Sequence, residues 1–507
     1  MAPLARLKKW PRLASDPMSR RSRIRAEDKR AKAVQHARNT SPMGESAMSS
    51  GSYDRASFKG LTFHDAVARF QAGQDNPRAY LERCFEAIAA KDGVVRAFVV
   101  LNEAGACAAA DASAARYKAG HALSSIDGMP IGIKDLIETM DMPTQMGCGA
   151  FTGNFPKRDS IMVRALRDAG AIIIGKTVTA ELGMAHPGPT TNPFDPRRTP
   201  GGSSSGSAAA VGANMIPAAI GTQVGGSIIR PAAYCGNIAL KPTQGAINRG
   251  ERQSLSQSTA GVHANSFEDM WAVAIEIARR AGGDPGAPGL FGPLAAPAPV
   301  KPARLIVMET EGWADLDAAS IAAFDGLLAK LRAAGVEIWR RADHPLIEGF
   351  ERALAEAKAI TADICAFEQR AGLQHLAETA ADRVSPRLFT RLQHGTKVDL
   401  ETYRARLLER DELRGRLVSL ASLADGLIAL SSPGPAPVWL GDQPGQPIAP
   451  RPTGDISFNA GTSALGCPAV TVPLLAVEGM PLGVQIIGQW HEDARATAIA
   501  AWVARIA

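Results

Sequence analysis

Apolar residues recur at three- and four-residue spacing through HDAVARF, AYLERCFEAIAA and the alanine-rich run from Ala104 to Ala115, which predicts a helical layer over residues 61–119. The pattern then changes. MPIGIKDLI, from Met129 to Ile137, is a short apolar run rich in β-branched residues between turns, and it reads as a strand. SIMVRALRDAGAIIIGKT reads as a helix stopped at Gly170 and then a buried strand at IIIG. Helix followed by apolar strand is the order of an α/β sheet.

Residues 184–207 are dense in Pro, Gly, Thr and Ser, and AAAVGANMIPAAIGT after them resumes an apolar pattern, so a long ordered loop entering a helix is expected. Residues 281–302 are dominated by Gly and Pro and keep no period, which marks a linker. Beyond it, ARLIVME and GVEIWR read as strands around the helix DAASIAAFDGLLAKLRAAG. A mostly helical stretch runs to about Leu423, strands return in PAVTVPLLA and LGVQIIGQ, and a helix through ARATAIAAWVARI follows. No internal repeat is visible.

A chain of 507 residues exceeds the size at which one core normally stops growing, and its 46% hydrophobic and 21% charged residues are those of an ordinary globular protein. With 49 Gly, 34 Pro and only 5% aromatics, any cavity is expected to be lined by main chain and aliphatic groups. The net charge of +6 suggests nucleic acid until it is located: residues 1–40 carry 12 Lys and Arg against 3 Asp and Glu, so the remainder is mildly acidic. Residues 1–55 therefore read as a basic, disordered extension, or as sequence ahead of a true start at Met18, Met43 or Met48. Arg20-Arg21 is followed by no apolar region, so it fails as an export signal, and no window approaches the roughly 18 apolar residues of a spanning helix. Six scattered cysteines without a CxxC pair read as reduced thiols. A cytoplasmic protein that binds neither nucleic acid nor membrane is expected.

Nine histidines contain no HxxxH, HExxH or Cys/His cluster, so neither a metal nor another cofactor is expected. GGSSSGS at 201–207 holds a literal GxSxG centred on Ser204, yet NPFDPRRTP precedes it where a nucleophile elbow needs a buried strand. A second cluster, GTQVGGSIIRPA at 221–232, has successive small residues that let backbone N–H groups converge on one point, as an oxyanion hole requires, although Gly-Gly-Ser is also ordinary turn chemistry. Lys134 stands alone in its apolar run. It either snorkels to solvent or is buried with a depressed pKa, and a neutral Lys can act as a base.

The order and spacing of Lys134, GGSSSGS, GTQVGGS and RPAAYCGNIALKPT (230–243) resemble the amidase signature family. The resemblance covers about residues 60–275 and returns in TGDISFNAGTSALGCPAVTVPL and PLGVQIIG. It implies an α/β fold with a large mixed β-sheet covered by helices on both faces, in one domain spanning 56–507. The catalytic core would occupy about 60–280 and 430–507, with a variable segment at about 303–430 covering the substrate.

The resemblance further implies a Ser-Ser-Lys triad that hydrolyses an amide, and also an ester or carbamate, through an acyl-enzyme. Ser227 takes the nucleophile position, Ser203 that of the bridging serine on a cis peptide, and Lys134 that of the base. Val224, Gly225 and Gly226, with the N–H of Ser227, would form the oxyanion hole, and Cys148, Gly149 and Gly183 would line the acyl pocket. The expected partners are a small-molecule amide and, by analogy, a second copy in a homodimer. The chain departs from the family pattern in having Gln223-Val224 for Asp-Thr, Ser205 for Gly, and Ile229 for Arg, with Arg230 one step later. Two alternatives stand beside the free amidohydrolase: the glutaminase component of a tRNA-dependent amidotransferase, and a member that has lost catalysis.

Overall fold

A computed structural model describes residues 52–250, 255–443 and 445–507. Almost all of the basic extension, including Met18, Met43 and Met48, lies outside the described residues. The helical layer holds α1 (His64–Gln71), α2 (Pro77–Val95) and α3 (Glu103–Lys118), with strand β1 (Phe98–Leu101) between the last two. Helix α2 begins where periodicity and capping agree. Asn76 accepts from Ala79 N at 2.9 Å and Pro77 takes the first turn, where its missing N–H costs nothing.

The next part of the chain contains β2 (Pro130–Lys134), α4 (Ile161–Asp168), β3 (Ile172–Thr177), α5 (Ser205–Gly212), β4 (Ala218–Gln223), α6 (Ile229–Tyr234), β5 (Ile238–Lys241), β6 (Thr259–Ala264) and α7 (Phe267–Ala281). Residues 282–303 hold neither helix nor strand. Then follow β7 (Arg304–Val307), α8 (Ala318–Ala333), β8 (Glu337–Trp339), four helices α9 (Pro345–Leu354), α10 (Ala357–Thr379), α11 (Pro386–Lys397) and α12 (Leu400–Ser419), and β9 (Gly426–Leu430). The final elements are α13 (Ser457–Leu465), β10 (Ala469–Val477), β11 (Met480–Ile487) and α14 (Asp493–Ile506).

The strands form one mixed sheet in the order β1, β3, β2, β4, β6, β5, β10, β11, β9, β7, β8. Strands β3, β2 and β4 are parallel neighbours, with Lys134 opposite Thr177 and Ile133 opposite Ile220. Their carboxyl ends therefore open on the same edge, the usual place for a ligand in an α/β sheet. Strands β7, β8 and β9, from the region between 303 and 430, extend this same sheet.

Two differences from the sequence reading have physical causes. The strand expected to reach Ile137 stops at Lys134, because Ile137 N donates back to Lys134 O and turns the chain. Strands β1, β4, β5, β6 and β9 are four to six residues long, and their short runs of alanine, glycine and branched residues lack a distinguishing period. Pairing on the sheet makes them strands.

The core is one large cluster around this sheet. Lys134, Lys176 and Lys241 are among its largest wholly buried side chains. No described helix is long and apolar enough to cross a membrane, and all six cysteines are unpaired thiols.

Candidate active site

Lys134 is the last residue of β2, and the turn that follows it leaves its side chain under two serine loops. Its Nζ lies within hydrogen-bond reach of four oxygens: Ser203 Oγ at 2.8 Å, Ser204 Oγ at 2.9 Å, Thr222 Oγ1 at 3.0 Å and Thr222 O at 3.2 Å. No carboxylate is among these partners. Burial alone holds the amine well below the ordinary lysine value, since nothing nearby compensates its charge.

Ser203 and Ser204 close the loop that leads into α5, and the peptide between Gly202 and Ser203 is cis. No strand precedes Ser204, so it is not the elbow that GxSxG suggests. It is instead a fully buried support: Ser204 Oγ donates to Thr222 O at 3.2 Å and accepts from Thr222 N at 3.3 Å. The carbonyl of Gly202 is held by Arg230 Nη2 at 2.7 Å, and the same guanidinium donates to Thr453 O and Oγ1 at 2.8 and 3.2 Å. Arg230 is wholly buried, and burial lowers its pKa, although a guanidinium keeps its charge.

Ser227 lies in the turn joining β4 to α6 and is partly exposed. Its carbonyl accepts from Ser204 N at 3.3 Å, which ties the two serine loops together. Ser227 Oγ makes no hydrogen bond among the described residues. The three carbonyls before it are each occupied: Val224 O by Gln257 Nε2 at 3.3 Å, Gly225 O by Ser463 Oγ at 3.2 Å and Gly226 O by Arg230 N at 3.1 Å. In a trans peptide the N–H points away from the C=O, so the N–H groups of Gly225, Gly226 and Ser227 turn to the opposite side. None of the three has an acceptor among the described residues.

Gly183 is brought to the serines. It has φ +77°, and a Cβ built on it would sit 3.7 Å from Ser203 Oγ. Cys148 is buried, and burial together with the Glu181 carboxylate raises its thiol pKa. Gly149 packs elsewhere: its Cβ would lie 2.6 Å from Arg383 O. The stretch 381–391 thus touches the loops at 148–149 and 181–184, with Ser385 N donating to Glu181 at 2.9 Å and Arg391 Nη2 to Met184 O at 2.6 Å.

Several partnerships escaped sequence reasoning. Asp135, adjacent to Lys134, pairs with Lys176 at 2.9 Å in a wholly buried bridge. Lys176 Nζ also donates to Thr144 Oγ1 at 2.7 Å and Pro143 O at 3.2 Å, while Asp135 accepts from Gln145 N at 3.1 Å. The pair thereby fastens the loop leading to Cys148. Burial raises Asp135 and lowers Lys176, their mutual attraction opposing both shifts. Thr222, Gln257 and Ser463 were equally hidden, because a single Thr, Gln or Ser carries no distinguishing pattern in the sequence around it. His263 is buried near the site, and burial pushes it down to about 3, so it stays neutral.

Comparison with known proteins gives the family of the chain. A family model described as amidase matches residues 79–496. A component of the glutamyl-tRNA(Gln) amidotransferase of Acidothermus cellulolyticus is 42% identical over 220 residues, which are 42% of this chain and 43% of that relative. The chain thus spans less than half the length of this curated relative. Among solved structures, a crystal structure of an amidase is 28% identical with a TM-score of 0.74, covering 87% of this chain and 99% of that one. The peptide amidase from Stenotrophomonas maltophilia is 26% identical with a TM-score of 0.73, covering 88% and 96%.

Proposed function

The chain belongs to the amidase family, and from that premise we propose that it hydrolyses a carboxylic amide, with Ser227 as nucleophile, Ser203 as proton bridge and Lys134 as base. The observation that carries this reading is the buried amine of Lys134, 2.8 Å from Ser203 Oγ and without a counter-ion. A neutral amine has two protons and one lone pair. Ser204 gives its own proton to Thr222 O, so it can only accept from Lys134, and Thr222 offers a second acceptor. The lone pair is left for a hydroxyl proton, and Ser203 is the nearest.

The steps follow from this polarity. Ser203 passes its proton to Lys134 as it takes the proton of Ser227, and Ser227 Oγ bonds to the amide carbon. The carbonyl oxygen, now an anion, is received by the N–H groups of Val224, Gly225, Gly226 and Ser227. The C–N bond breaks as the relay returns a proton to the leaving amine, and water repeats the sequence to release the carboxylate. The hydrogen bond between Ser203 and Ser227 is completed in the complex with substrate, where catalytic contacts tighten. Esters and carbamates present the same carbonyl.

Gly183 and Cys148 are assigned to the acyl pocket, and the contacts of Gly149 with Arg383 and of Glu181 with Ser385 support a covering role for the segment between about 303 and 430 within a core of 60–280 and 430–507. The test is amine or ammonia release from a panel of aryl, alkyl and amino-acid amides and esters by wild type, Ser227→Ala and Lys134→Ala. Turnover by wild type alone is the expected result. Full activity in Ser227→Ala would remove the mechanism.

A second reading is favoured by one observation, the 42% identity to a component of a glutamyl-tRNA(Gln) amidotransferase over 220 residues. It predicts that the purified chain releases ammonia from glutamine only when partner proteins are added. Turnover of a simple amide by the chain alone decides against it.

A further inference from the structure

The turn carrying Ser227 is held from behind by side chains remote in sequence. Gln223 is buried and uses both ends of its amide: Oε1 accepts from Ile228 N at 2.8 Å and Ile229 N at 3.0 Å, and Nε2 donates to Ser463 Oγ at 3.0 Å. Because Ser463 accepts from Gln223, its own proton is free for Gly225 O at 3.2 Å. Gln257 does the same for the preceding peptide, donating to Val224 O at 3.3 Å and to Thr361 Oγ1 at 2.9 Å. A carboxylate at position 223 would have no proton to give Ser463, so Ser463 would turn its hydroxyl to the acid and release Gly225 O.

We propose that Gln223, Ser463 and Gln257 are positioning residues that aim the N–H groups of Gly225 and Gly226 at the reacting oxyanion, with Ser463 as the latch. The proposal rests on Ser227 being the nucleophile. Two adjacent peptide planes are set by two buried donors, Ser463 on α13 and Gln257 ahead of β6. Pre-aimed donors stabilise charge that develops only in the transition state, so their loss lowers kcat more than it raises KM.

The experiment compares wild type, Ser463→Ala, Ser463→Thr, Gln223→Glu and Ser227→Ala. It measures the rate of labelling by a fluorophosphonate, whose phosphoryl oxygen needs the same donors, and kcat and KM on an amide from the panel above. Ser463→Ala and Gln223→Glu are expected to slow labelling and lower kcat about 10- to 100-fold with KM within about twofold, less than the loss of a direct donor. Ser463→Thr, which keeps the hydroxyl, should recover most of the rate. If Ser463→Ala does not fold, Gln257→Met removes the other donor and carries the same expectation.

Labelling and kcat at the wild-type level in folded Ser463→Ala would overturn the proposal, as would equal changes in kcat and KM that threonine does not rescue. Labelling of Ser227→Ala as fast as wild type would instead overturn the reading of Ser227 itself.

Discussion

The Lys134 amine and the Ser203 hydroxyl stand 2.8 Å apart in a region without solvent exposure for the lysine and with 5% exposure for the serine. An ammonium there has lost its water and gained no anion, so the contact favours the neutral amine. The activity then requires Lys134 to be unprotonated. As pH falls through its lowered folded pKa, kcat/KM should fall in a single acid limb, which a pH profile of wild type would show. A profile with no acid limb before the protein unfolds would contradict a lysine base.

The same group sets a stability trend. Between the folded pKa and the unfolded value near 10.4, the unfolded chain binds a proton that the folded chain does not, so this residue makes the protein more stable as pH rises. Lys134→Met removes that term. The Tm difference, wild type minus variant, should grow from pH 7 to pH 10, and a constant difference would argue against a depressed amine.

Removing the two serine hydroxyls should have distinct effects. Ser227→Ala eliminates the atom that bonds to substrate, and its kcat should fall at least about 1000-fold with no fluorophosphonate labelling. Ser203→Ala leaves the nucleophile without its proton bridge, for a fall of about 100- to 10,000-fold and slowed but detectable labelling. Equal labelling of Ser203→Ala and wild type would show that Ser203 moves no proton.

Breaking the Asp135–Lys176 bridge strands a buried charge. Asp135→Leu should lose about 3–5 kcal/mol in urea unfolding, whereas Asp135→Leu with Lys176→Met should recover much of it. With Asp135 gone, the folded pKa of Lys176 drops further below its unfolded value. The single variant is therefore worst at low pH and improves as pH rises toward 10.

Arg230 holds the Gly202 carbonyl and Thr453 at once. Arg230→Met should lower kcat by at least about 10-fold, as a charge-assisted hydrogen bond is lost beside Ser203. Arg230→Lys should not restore it, because one ammonium cannot span both groups as a planar fork does. Steady-state kinetics of the pair would check this, and full rescue by lysine would show that charge alone matters.

Much of this was legible before any fold was known. The helix and strand order follows from periodicity, and the loops at 201–207 and 221–227 declare themselves by clustered Gly and Ser, whose backbone freedom a close approach demands. Lys134 stands out because charge is rare in an apolar run. Short strands such as β1 and β9 were not legible, since four or five residues carry too little pattern and depend on their neighbours in the sheet.

The chemical inventory was thus determined by the sequence: a lone lysine, two serine-glycine loops and an α/β order that can set them at one sheet edge. Tertiary structure decided which hydroxyls the lysine meets, that Asp135 turns to Lys176, and that Ser463 reaches Gly225 across 238 residues of chain. The reason is that periodicity reports which side of an element is buried, whereas a hydrogen bond depends on ångström distances between groups the chain brings together only on folding.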